Sequence, residues 1–218
     1  MVILITPSNR HHYRCELEAI FRLRHEVLVE SLHWKGLMTD GRQERDQFDN
    51  DDALYLGLTD KAGAVIGCMR LNPATGATLT STAFPSLVQF GDLPDGPGVY
   101  DVSRHIIANQ RQASLRDNLS SFDLLCALYE LGLAEGMSAF TAVMTTRLLS
   151  ALLQIGVEVN AMGFPAAIDR EDCVVVSAPV VPQSLDRLYR ATRNRVPRLL
   201  PVQPFAVATA ARAGGAVH

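Results

Sequence analysis

The amino-acid sequence predicts an α/β (α+β) domain, a mixed, mostly antiparallel central sheet flanked by helices on both faces. Three observations carry that expectation. Periodic segments follow the order strand, helix, a run of strands, then helix–strand–helix–strand, the pattern of a layered fold around one sheet. Near the start, Leu17, Ile20, Phe21, Leu23, Val27 and Leu28 recur at three-to-four-residue steps with Glu16, Glu18, Arg22 and Glu26 between them, an amphipathic helix. A hydrophobic content of 48% in 218 residues is enough for one large core. Residues 1–200 read as a single domain and 201–218 as a flexible C-terminal tail.

In chain order, Val2 to Thr6 is a short β-branched strand stopped by Pro7 and Ser8, and the helix runs from about Cys15 to Glu30. The hydrophobic period then vanishes. The segment to Asp52, SLHWKGLMTDGRQERDQFDNDD, is polar and turn-rich; connections this long without their own secondary structure are functional lids or disordered. Trp34, read as buried, and the paired carboxylates favour a lid. Ala53–Thr59 and Ala64–Leu71 are strands joined by DKAG, a hairpin. Asn72 to Gly98 is rich in Pro, Gly, Thr and Ser, with Leu79, Phe84, Leu87 and Val88 able to pin a loop or short helix.

Val99–Ile107 is a third strand with polar residues on both faces. Alternation puts Asp101 and Ser103 on one face and Arg104 on the other, unless a β-bulge re-aims part of it; the strand is at an edge or lines a cleft. Asn118–Glu135 is a helix with Ser120 or Ser121 as cap and Gly136 past its end. Ala139–Thr145 is a strand, Arg147–Gln154 a helix closed by Gly156, Val157–Met162 and Cys173–Pro179 strands, and Ser184–Arg195 a helix. Beyond Pro197 the chain reads as disordered or peripheral.

Composition excludes several classes of function. A net charge of −3, from 20 basic and 23 acidic residues, leaves no nucleic-acid footprint. Cys15, Cys68, Cys126 and Cys173 are isolated, without CxxC pairs or histidines at ligand spacing, which argues against a metal site or disulfide framework and suits a reducing cytosol. His11 and His12 read as solvent-exposed. The start is too short in apolar residues for a signal peptide, and no segment reaches transmembrane length, so a soluble cytoplasmic protein is expected. Neither GxxxxGK[ST] nor GxGxxG is present. The basic residues are almost all arginine, which suits bidentate contacts to carboxylates and phosphates.

Taken together, Arg24-x-x-Val27, Trp34, the ERDQFD run at 44–49, Tyr55, Gly67-x-x-Arg70-Leu71 and Ser103-Arg104 resemble the acyl-homoserine-lactone synthases of the LuxI type, the autoinducer synthases. The resemblance covers most of residues 20–165, including Phe84-Pro85-Ser86-Leu87, the Thr141-Ala142-Val143-Met144 piece and MGFP at 162–165. Joint order and spacing carry it, not any single motif. It implies a GCN5-related N-acyltransferase-like fold and a fatty-acyl thioester donor on acyl carrier protein or coenzyme A. It also implies S-adenosylmethionine as acceptor and co-substrate, no prosthetic group, and a quorum-sensing signal as product. The other readings are an N-acyltransferase of the same fold that makes no lactone, and a non-catalytic member.

On that resemblance, Arg24, Arg70 and Arg104 form an ion network with Asp46 and Asp49, which hold the cationic acceptor or anchor the lid; the same residues could simply staple an irregular segment to the sheet. Asp101 is the candidate base or its water holder, and Ser103 a donor near the thioester carbonyl. Trp34 covers the S-adenosylmethionine pocket, where Leu28 stands in place of the family's usual Phe; Asp101 after Tyr100 replaces Glu after Trp. Thr141 aligns with a position associated with 3-oxo acyl groups. Phe84, Thr141, Met144, Leu148, Leu149 and Leu152 are candidate acyl-pocket walls, and Arg111 and Arg116 candidate contacts for a carrier protein or pantetheine phosphate.

Overall fold

The computed structural model describes residues 1–108 and 119–200. Arg111, Arg116 and the 201–218 tail lie outside the described residues. The strands are β1 (Val2–Ile5), β2 (Thr39–Asp40), β3 (Gln43–Glu44), β4 (Leu54–Thr59), β5 (Val65–Pro73), β6 (Val99–Ile107), β7 (Ala139–Thr145), β8 (Asn160–Ala161), β9 (Ala166–Ile168) and β10 (Glu171–Pro179). The helices are α1 (Arg14–Arg24), α2 (Leu79–Ala83), α3 (Leu119–Ala134), α4 (Thr146–Gln154) and α5 (Pro182–Thr192).

A period of two builds the central sheet. Val2, Leu4, Leu54, Leu56, Leu58, Met69 and Leu71 point into the main core, whereas the intervening Ile3, Ile5, Tyr55 and Cys68 point into a second one. Strands buried on both faces require helices on both faces. Phe122, Leu124, Leu125 and Leu128 of α3 cover the first face; Ile20, Phe21 and Leu23 of α1 cover the second. Each such aliphatic side chain removed from water contributes about 1.5–3 kcal/mol. Strand order is β1-β4-β5-β6-β7-β10-β8, with β9 also on β10; β6 and β7 run parallel and the other pairs antiparallel. The mixed, mostly antiparallel sheet expected from the sequence is the one observed.

Several local expectations change. The first helix keeps its length but continues past Arg24 as a π-helical segment, His25–Ser31, whose wider turns are frequent at functional sites. The polar connection is not without structure: β2 and β3 pair as a small hairpin around Gly41, whose φ of 59° suits a glycine turn. β6 lies between β5 and β7 and is not an edge strand. Ser120 and Ser121 are inside α3, where Ser121 turns to His105 (Oγ to Nε2, 3.1 Å). The strand expected at 157–162 shrinks to β8, because Val157 still donates to the carbonyl of Leu152 at the end of α4. β9 was not anticipated, and α5 stops at Thr192 because Arg193 is left-handed.

The segment after Pro197 is also better anchored than its composition suggests. Val2 donates to the carbonyl of Arg198 (2.9 Å), and Leu200 donates to the carbonyl of Val2 (2.8 Å), extending the sheet beyond β1. Glu130 of α3 accepts from the backbone N–H groups of both Arg198 and Leu199. Two partly buried backbone donors are thereby satisfied by one carboxylate.

Glycine matters most where two stretches of backbone meet. A Cβ on Gly163 would collide with the carbonyl oxygen of Leu87, because Gln89 and Phe90 both donate to the carbonyl of Met162 and hold the two segments together. Gly163→Ala is therefore expected to cost about 1–3 kcal/mol, as overpacking against rigid backbone does. An unchanged thermal midpoint would show that the segments separate freely.

Candidate active site

The site begins with a bulge in β6. Cys68 pairs with Ile106 and Arg70 with Ser103, so Met69 alone faces both Arg104 and His105. Arg104 takes up the extra residue with φ 55°, a conformation costly for a side chain this large. The bulge turns Arg104 to the same face as Ser103, away from strict alternation. Arg104 then meets the segment carrying Glu44, Asp46 and Asp49, and Ser103 meets Arg70.

Three arginines and three carboxylates interlock there. Arg24 donates to Glu44 through Nε and bidentately to Asp49 (2.7 and 2.9 Å). Arg70 grips Asp46 with both terminal nitrogens, approaches Asp49 at 3.0 Å, and donates from Nε to the Ser103 hydroxyl (3.1 Å). Arg104 donates to Glu44 (3.1 and 2.7 Å) and to Asp46 (2.8 Å). Tyr55 adds a phenol donor to Asp49 at 3.0 Å. The formal charges cancel, and geometry of this kind is what lets ion pairs survive desolvation.

Local structure delivers the carboxylates. Glu44 and Asp46 are two apart in an extended stretch leaving β3, so both face the sheet. Asp46 also accepts from the Phe48 N–H and Asp49 from the Asp46 N–H, each at 2.8 Å, which closes the turn that brings Asp49 back. Burial opposes the Asp49 charge, but the Arg24 hydrogen bonds and the charges of Arg24 and Arg70 outweigh it and hold its carboxyl well below the usual range. For Arg24, burial works against ionisation and is again outweighed, by Asp49 and Glu44.

Arg24, Arg70 and Glu44 have side chains fully withdrawn from solvent, whereas Asp46 keeps 12% exposure. The fully buried members fasten the segment to the sheet, and Asp46 and Arg104 form the slightly more exposed edge of the network. Glu44, central to the network, was not singled out from the sequence; its signal was the two-residue spacing from Asp46.

Asp101 is fully buried. One oxygen accepts from the Thr80 N–H of α2 (3.2 Å), the other from the Thr141 hydroxyl (3.0 Å). Burial pushes its carboxyl above the ordinary value, against the pull of Thr80, Thr141 and the Arg70 charge. The Thr141 hydroxyl proton is thus committed to Asp101. Leu28 is buried in the second core, and Trp34, expected to be buried, is only half-buried against it.

The residues assigned to the acyl pocket are not brought together. Thr141 shares the face of Asp101, whereas Met144 and Leu148 pack against the main core on the opposite face and Leu152 is fully part of it. Phe84 is half-buried at the end of α2. Between the faces lies a fork: β6 and β7 pair only from Val99 to Val102 and Ala139 to Ala142, after which β6 stays with β5 and β7 with β10. Where parallel strands part, their facing N–H and C=O groups need another partner.

Residues 8–188 match the family model of autoinducer synthases. Isovaleryl-homoserine lactone synthase of Bradyrhizobium diazoefficiens is 32% identical over 189 residues, 87% of this chain and 84% of that protein. Acyl-homoserine-lactone synthase of Agrobacterium fabrum is 27% identical over 202 residues, 91% and 95% of the two chains. The solved structure of BjaI, a CoA-dependent acyl-homoserine lactone synthase with SAM and isopentyl-CoA, superposes with a TM-score of 0.84 at 29% identity, covering 94% of each chain. A putative N-acetyltransferase from Lactobacillus plantarum shares the fold alone, with a TM-score of 0.53 at 18% identity over 83% of this chain and 98% of that one.

Proposed function

Because the chain belongs to the autoinducer synthase family, we infer that it is an acyl-homoserine-lactone synthase whose product is a quorum-sensing signal. The substrates are a fatty-acyl thioester, on coenzyme A or acyl carrier protein, and S-adenosylmethionine. In the first step the amine nitrogen of S-adenosylmethionine attacks the thioester carbonyl; an amide forms, the carbon–sulfur bond breaks and the thiol leaves. In the second, the carboxylate of the same molecule attacks its own γ-carbon. The bond to the sulfonium breaks, its electron pair stays on sulfur, and methylthioadenosine leaves with the lactone closed.

The observation that carries this reading to particular residues is the bulged β6 beside the β6–β7 fork, with the ionic network over its mouth. We place the thioester in the fork, where backbone N–H groups that no longer pair between β6 and β7 would suit a developing oxyanion. An acyl chain passing through the fork could touch Thr141 on one face and Met144 and Leu148 on the other. Asp101, with its raised pKa, is the candidate proton acceptor for the ammonium, and Asp46 and Arg104 orient the acceptor. The second step needs little beyond a positioned carboxylate, because the sulfonium is already a good leaving group. Among the described residues no helix is long and apolar enough to cross a membrane; we place the enzyme in the cytoplasm, where both substrates are made.

The test is turnover of S-adenosylmethionine with a panel of acyl-coenzyme A and acyl-carrier-protein thioesters. Methylthioadenosine and lactone are expected in equal amounts. Thiol release without methylthioadenosine would instead show plain N-acylation.

A further inference from the structure

Asn72 is a polar residue within the sheet that the network does not use. It follows Arg70 by two in β5, is 1% exposed, and pairs across strands with Asp101, so the two side chains are neighbours on one face. Its Nδ2 donates to the carbonyl of Phe48 at 2.8 Å. That bond fixes the amide, because a flip would set two oxygens against each other. The Oδ1 so oriented is buried and has no hydrogen-bond partner among the described residues. A desolvated acceptor left in that state is costly, and such atoms are seldom retained without a donor to meet.

Asn72 also lines a cavity of about 500 Å³. Gln47, Phe48, Asn50 and Asp52 of the acidic segment form one side, and Thr82 of α2 is on the other. Among the described residues, the cavity lining includes no lysine, arginine or histidine, and its one charged residue is Asp52. The three nearby arginines are engaged by carboxylates. With no cationic side chain in the lining a phosphate is disfavoured, and the free acceptor at Asn72 calls for a hydrogen-bond donor, best a cationic one.

We propose that Asn72 is a substrate-binding residue whose side-chain oxygen accepts a hydrogen bond from the ammonium group of S-adenosylmethionine. The proposal rests on the synthase reading above and deepens it. An ammonium held at Asn72 stands beside Asp101, whose raised pKa suits it to take the proton that must leave before nitrogen attacks. Asn72 thus couples acceptor binding to deprotonation.

Calorimetric titration of the full chain with two ligands tests this. S-adenosylmethionine carries the ammonium; methylthioadenosine shares its nucleoside and sulfur but lacks it. Asn72→Leu is expected to weaken S-adenosylmethionine about tenfold or more while leaving methylthioadenosine affinity within about twofold. Asn72→Asp keeps an acceptor but loses the bond to Phe48, and is expected to hold S-adenosylmethionine better than the leucine variant does. If Asn72→Leu does not fold, Asn72→Ser, which adds no bulk, takes its place with the same expectation. Equal loss for both ligands, no loss for either, or an aspartate variant as weak as the leucine one would overturn the proposal. Wild-type protein that binds neither ligand would overturn the synthase reading and this assignment with it.

Discussion

Arg24→Ala is expected to destabilise the fold by about 3–5 kcal/mol. The cause is what remains, not only what is removed. Glu44 keeps Arg104 and Asp49 keeps Arg70 and Tyr55, but each loses its closest guanidinium in a site with almost no solvent to replace it. Against a typical total of about 5–15 kcal/mol, that is a large fraction. Tyr55→Phe, which removes one neutral donor to Asp49, is the milder contrast at about 1 kcal/mol. Urea unfolding of both variants gives the comparison. A loss below 1 kcal/mol for Arg24→Ala would mean that the acidic segment is not held through this residue.

The architecture was legible because it follows from short-range physics. Two apolar runs, ALYLGLT and AVIGCMRL, separated by DKAG marked a hairpin, and the 3.6-residue stripe of α1 marked the helix that covers one face of it. The Arg104 orientation was not legible: it depends on the bulge opposite Met69, and alternation alone sends Arg104 to the wrong face. The π-helical continuation of α1 was also hidden, since residues 25–31 continue the apolar stripe of the helix and that stripe does not distinguish a π turn from an α turn. A two-residue strand such as β8 leaves almost no pattern to read.

The site divides in the same way. Arg24, Arg70, Arg104, Asp46 and Asp49 were found as a group and do form one network, yet which carboxylate each arginine takes required coordinates. Glu44 and Asn72 show where a better reading was available. Each lies two residues from a site residue in an extended stretch, and a period of two places such neighbours on the same face. The acyl-pocket group is split between the two faces for a related reason. Thr141 and Met144 are three apart in β7 and therefore face opposite sides of the sheet.

Acidification from pH 7 to pH 5 is expected to weaken the fold, and His105 is expected to account for the change. It lies in the β6 bulge with Arg104, its Nε2 against the hydroxyl of Ser121. Burial lowers its pKa to about 4 from an ordinary 6.5, only partly offset by the Ser121 bond. The folded state therefore prefers neutral imidazole, and the unfolded chain binds the proton first. The stability from keeping His105 neutral is complete above pH 6.5 and is lost as pH falls toward 4, by at most about 3 kcal/mol because part of the residue reaches solvent. Asp49, held well below its ordinary value, contributes in a lower window: its stabilisation is present above about pH 4 and is lost below it. Asp101 works in the reverse sense, since protonation relieves its buried charge. His105→Gln removes the upper window, so its urea midpoint should change much less than that of the wild type between pH 7 and pH 5. If the two proteins lose stability in parallel, a group other than His105 controls the response.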